Sequence, residues 1–147
     1  MKPTLLVICS TVLVATALAG CGEKSEPDLQ SLAQQFRQQE EQAIVGSYHG
    51  TLDQQGTKPF QVMATVASLS DASKNVVHYT GIDCSGTWSF QKHEDGTYEF
   101  REKIDRGAGA QCQGTGTVTL TPQGANRYGY EFRGGGVMST GVLQRTD

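Results

Sequence analysis

A chain of 147 residues with a net charge of −3 at pH 7 has room for one domain and a short extension. Its acidic balance offers neither the basic patch that nucleic acid requires nor a polybasic reason to bind anionic lipid. Nucleic-acid binding is therefore excluded as a primary role.

In chain order, the first segment has the layout of a secretory signal: Lys2 is the only charge before Glu23, an apolar run extends from Leu5 to Leu18, and small residues follow at Ala19 and Gly20. The run is at the short end of the ~20 residues a membrane-spanning helix needs. Leu18-Ala19-Gly20-Cys21 resembles the lipobox of bacterial lipoproteins, in which the cysteine receives a diacylglycerol thioether and the signal is cut just before it. The resemblance implies a mature chain beginning at Cys21 and attached to membrane through lipid there. Removing residues 1–20 takes Lys2 and no acid, leaving 11 basic against 15 acidic residues, net −4. At roughly 0.8 kcal/mol per buried CH₂, two or three acyl chains hold firmly. Gly22 follows the cysteine. By resemblance to sorting in enteric-type bacteria, the absence of Asp there favours the outer membrane, facing the periplasm, over the inner.

Residues 1–20 thus read as signal, 21–28 as a polar tether, 29–44 as a helix and 45–147 as a β domain. Ser25, Pro27 and Asp28 suit a helix start. Leu29, Leu32, Ala33, Phe36, Ala43 and Ile44 recur at helical spacing. The expectation is a helix that packs Leu32 and Phe36 on the domain or caps one end of it. A coiled-coil seam would need more heptads, so the chain reads as a monomer.

After Val45 the sequence turns to short alternating runs separated by turn signals. Eight strands are expected, near residues 44–52, 60–69, 76–80, 84–91, 97–104, 114–121, 127–133 and 138–145. Asp95-Gly96 marks a tight hairpin. Short strands joined by hairpin-sized turns argue for an antiparallel meander, which removes its edges by closing into a small barrel or flattened sandwich. The fold class expected is mainly β. The fourth strand is central, with Cys84, Gly86, Trp88 and Phe90 on one face and Ser85, Thr87 and Ser89 on the other.

Of the four cysteines, Cys9 lies in the signal and Cys21 takes lipid. Cys84 and Cys112 remain, an even pair in an oxidising compartment, and read as a disulfide. A metal site would need more ligands at close spacing, and His49, His78 and His93 are scattered singly. In an up-and-down order strands four and six start at one rim, so a bridge across strand five is natural. It would add about 3–4 kcal/mol to a small domain of modest apolar content.

Glu102 shares the parity of Tyr98, Phe100 and Ile104, so it points inward and needs a partner. It reads either as a structural hydrogen-bonding acid or as a ligand-binding or catalytic one. His49 and His93 read as surface residues, and Asp83 as a turn-former. Gly107-Ala108-Gly109 and Gly134-Gly135-Gly136 lack the Lys-Ser or Lys-Thr of a phosphate loop, and Ser85 lacks a nucleophile elbow.

Tyr48-His49-Gly50-Thr51-Leu52, Cys84-Ser85-Gly86-Thr87-Trp88, Phe100-Arg101-Glu102-Lys103-Ile104, Cys112, the run from Gly116 to Pro122 and Tyr128-Gly129-Tyr130 form one pattern. It is similar to a small extracytoplasmic β domain found in bacterial lipoproteins and behind the membrane segment of some bacterial serine/threonine kinases. The likeness spans residues 46–145. It implies the pairing of Cys84 with Cys112 and an inherited role for Glu102, and it carries over no catalytic residue. The expectation is a non-enzymatic lipoprotein without cofactor or metal, binding an envelope protein, a peptidoglycan fragment or a small ligand. The alternative is an inhibitor of a secreted hydrolase such as a lysozyme or protease, acting through the loop at residues 105–111. An enzyme using Glu102 and a histidine ranks last.

Overall fold

The computed structural model describes residues 28–109 and 111–147. The lipobox, Cys21 and the Ser25–Pro27 part of the expected helix start lie outside the described residues. Helix α1 (Leu29–Gln42) precedes eight strands: β1 (Gly46–Gln54), β2 (Phe60–Val66), β3 (Val76–Thr80), β4 (Cys84–Glu94), β5 (Thr97–Arg106), β6 (Thr115–Pro122), β7 (Arg127–Gly134) and β8 (Val137–Arg145). Each strand pairs antiparallel with the next. β8 returns to β1, from Tyr48 opposite Arg145 to Gln54 opposite Ser139, so the sheet closes into a barrel without edges.

Alternation explains the interior. β2 buries Phe60, Val62, Ala64 and Val66, while β5 buries Tyr98, Phe100, Glu102 and Ile104. Trp88, Phe100, Leu52, Leu120 and Leu143 are fully buried along the axis. Two-residue turns set the registers. Asp95 and Gly96 both have positive φ, as do Gly135 and Gly136, the signature of primed turns that follow strand twist. β4 runs past the end expected at Gln91 because a register shift between Phe90 and Lys92 lets the hairpin continue to Glu94. Gly116 faces inward because the Phe132 ring occupies the place of its side chain; a Cβ there would stand 2.1 Å from that ring.

The helix differs from expectation. Asp28 caps it, accepting from the Gln30 N–H at 3.3 Å. The helix buries no residue, and Phe36 is 64 % exposed. The contact with the barrel lies instead at its exit. Ile44, expected to end the helix and open the first strand, belongs to neither and is fully buried as a plug in one barrel end. Its surroundings are tied down by hydrogen bonds to main-chain carbonyls: Tyr98 to Glu40 at 2.5 Å, Arg145 to Ala43 at 2.9 Å and to Val45 at 2.5 Å, and Tyr48 to Ile44 at 2.6 Å. An arginine and two tyrosines thereby hold carbonyls at the helix end and in the residues just beyond it.

Candidate functional site

The opposite barrel end is the candidate site, since it holds the disulfide and the one buried carboxylate among the described residues. Cys84 opens β4 and Cys112 precedes β6, and the two are bonded with Cα atoms 6.6 Å apart. Gly107 makes the return possible: its φ is +74°, and a Cβ would stand 2.3 Å from the Asp83 carbonyl oxygen beside Cys84. Asp83 itself has φ +52°, in the turn between β3 and β4. The loop then comes back across the mouth, with Gly109 and Cys112 exchanging two backbone hydrogen bonds of 2.8 and 3.2 Å.

Beneath this loop four strands contribute one polar cluster. Glu102 of β5 is only 3 % exposed. Its Oε2 accepts the indole N–H of Trp88, its register partner on β4, at 2.8 Å. The same oxygen accepts the Tyr79 hydroxyl of β3. The Tyr79 and Tyr130 hydroxyls lie 3.0 Å apart, bringing in β7. Burial raises the Glu102 pKa above the ordinary carboxylate range, and the Tyr79 and Trp88 hydrogen bonds pull part of the way back. Burial likewise pushes Tyr79 and Tyr130 well above a normal phenol. Both phenols therefore stay protonated at any ordinary pH; Tyr79 donates to the carboxyl, and Tyr130, paired with the Tyr79 hydroxyl, supports it from behind.

The space left among Gln54, Tyr79, Glu102, Gln113, Tyr130 and Ser139 is a cavity of about 20 Å³. That holds about one water, against the several hundred Å³ of a ligand pocket. Hydrogen bonds cross its mouth. The Ser139 hydroxyl donates to Gln54 Oε1 at 2.6 Å, and Gln54 Nε2 donates to the Gln111 carbonyl at 3.1 Å. Among the described residues no buried side-chain nitrogen or oxygen lacks a partner.

The histidines do not join Glu102. His49 and His78 are exposed on the outside of β1 and β3. His93 stacks on Tyr98 with ring centroids 4.2 Å apart, near the helix end of the barrel. Among the described residues no three His, Cys, Asp or Glu side chains converge on a metal position. What the cluster does chemically is cross-link β3, β4, β5 and β7 through hydrogen bonds centred on one carboxyl.

Sequence reasoning missed Asn75, placed in a polar loop. It is 1 % exposed and knots two segments together. Its Oδ1 accepts from the Ala67 and Ser68 N–H groups at 2.8 and 2.9 Å, and its Nδ2 donates to the Ser68 and Trp88 carbonyls at 2.6 and 2.9 Å. The signal was available: Asn75 has the inward parity of Val77 and Tyr79. The partners of Glu102 were also missed, because Tyr79 and Tyr130 stand far from it in sequence and only closure of the barrel brings them together. Compared with protein-family models and with curated proteins, the chain matches none.

Proposed function

We propose that this protein is a lipid-anchored, periplasm-facing module of the bacterial outer membrane that binds an envelope component through its outer surface rather than transforming or carrying a small molecule inside. The observation that supports this most is the filled interior. The cavity beside Glu102 is about 20 Å³, and this acid, the one buried carboxylate among the described residues, is held by an indole and a phenol, so the cavity has no room for a substrate. Work is left to the rims and the outside, and the Leu18–Cys21 box supplies the anchor. The test uses the full chain expressed in an enteric host with labelled palmitate. Label should appear on the parent, co-fractionate with outer membrane, and be lost in Cys21→Ser. A parent that stays unlabelled and freely soluble overturns the anchored reading.

A second reading, inhibition of a secreted hydrolase, rests on the loop after β5. It is fastened to Cys84 through Cys112 and stiffened by the Gly109–Cys112 backbone pair. Rigid loops bind with less ordering cost. Titration against a lysozyme and a serine protease separates the readings, since an inhibitor would remove activity at one equivalent.

A further inference from the structure

The barrel register assembles a row of side chains that spacing in the sequence hides. His49 on β1 is directly opposite Met63 on β2, and Met63 is directly opposite His78 on β3. The row continues to Gln144 of β8 on one side and Ser85 of β4 on the other. His49, Met63 and His78 all point outward; Met63 is 55 % exposed. Among the described residues neither imidazole has a hydrogen-bonding, ionic or ring partner, so both are free to ligate. Their neighbours along the same three strands on this face are Ser47, Thr51, Gln61, Thr65, Val76 and Thr80, none of them cationic. Met63 and His78 border a shallow depression whose margin also carries Asp105, a negative charge that attracts a cation.

From this juxtaposition we infer that the outer face of β1–β3 is a binding site for copper(I), held by the two imidazoles and the thioether between them. Adjacent strands are about 4.8 Å apart, so the two histidine backbones are separated by roughly 10 Å. Two metal–nitrogen bonds span about 4 Å. Each imidazole therefore leans inward by roughly 3 Å over Met63, a movement that rotation of an exposed side chain supplies. The donor set selects the ion. A thioether is soft and suits copper(I), and imidazole accepts copper as readily as zinc. Zinc in a structural site asks for four donors, and calcium or magnesium for a cage of oxygens. The site needs no lipid anchor and stands independently of the reading of the protein as an envelope module.

The test uses the full chain with Cys9→Ser and Cys21→Ser in every variant, so that no free thiol competes. Copper(I), kept reduced with ascorbate, is titrated against a coloured copper(I) chelator. One equivalent should be withdrawn from the chelator. Met63→Leu should weaken binding at least tenfold, the double variant His49→Gln with His78→Gln should abolish it, and His93→Gln should leave it unchanged. Zinc, titrated in parallel, should respond much less to Met63→Leu. These positions are exposed, and an unaltered urea midpoint for each variant shows that the fold is intact. The inference is overturned if the parent takes up no copper(I) in competition, if Met63→Leu binds as tightly as the parent, or if His93→Gln loses as much as the double variant.

Discussion

Trp88 and Glu102 face each other across β4 and β5, and the indole N–H of the one donates to Oε2 of the other at 2.8 Å inside the barrel. The same oxygen takes the Tyr79 hydroxyl, so one carboxyl satisfies two buried donors from two other strands.

Removing that acceptor should therefore cost more than removing its charge. Glu102→Ala leaves the Trp88 N–H and Tyr79 O–H without their acceptor, at ~1–3 kcal/mol for each orphaned group, and the total should reach about 3 kcal/mol or more. Glu102→Gln keeps an amide oxygen in place and should stay within about 2 kcal/mol of the parent. Urea unfolding of both variants measures the difference, and equal losses would refute the role given to this oxygen.

The elevated Glu102 pKa predicts a pH dependence of definite sign. The folded protein holds this proton more tightly than the unfolded chain, whose carboxyl titrates near 4.5. Stability supplied by the protonated form is complete below that pH and is lost as pH rises through the folded value. Asp71, Glu94, Glu131 and Asp147 have lowered values, owing first to side-chain hydrogen bonds, and act in the opposite direction in parent and variant alike. The difference between parent and Glu102→Gln isolates the buried acid. Between pH 4.5 and 8 the parent's urea midpoint should fall relative to the variant's; a parent that gains on the variant would show that the pKa is lowered instead.

How much of this was legible in the sequence follows from which forces are local. Alternation at Tyr98, Phe100, Glu102 and Ile104 placed the acid inside, and Asp95-Gly96 announced its hairpin, because both signals are carried by neighbours in the chain. The shared rim of Cys84 and Cys112 followed from strand direction alone. The illegible parts depend on closure. Tyr130 reaches Tyr79 only after β8 has met β1, and His49, Met63 and His78 align only once the registers of three strands are fixed at two pairings. Ile44 fitted the helical spacing but fills the barrel end, because an apolar side chain at the open end of a closed sheet gains more by leaving water than by extending the helix. Phe36 fitted the same spacing and remains in solvent, where the described residues give it nothing to pack against.

The disulfide closes 28 residues of chain. Loop entropy assigns it about 3–4 kcal/mol. The double variant Cys84→Ser with Cys112→Ser should lose that amount in urea, with the loss arising chiefly from a freer unfolded chain. Because the bridge also holds the loop across the mouth, amide exchange at Gly109 and Cys112 should rise well before the rest of the barrel is affected.

Asn75 makes four hydrogen bonds from a buried position. Asn75→Ala should cost about 2–4 kcal/mol through the groups it leaves unpaired. Asn75→Asp should be no better: it keeps the acceptors but brings a carboxylate against the Ser68 and Trp88 carbonyls. If Asn75→Asp folds as stably as the parent, the knot between the β2–β3 connection and β4 is not what holds this end.

The most direct test of a filled barrel that works from its outside uses Trp88, the single tryptophan of the chain and fully buried on the axis. The account predicts blue emission, resistance to acrylamide quenching, and no change when fatty acids, retinoids or short glycans are titrated in. Emission near that of free indole, or a saturable shift with any of these ligands, would mean that the interior is open.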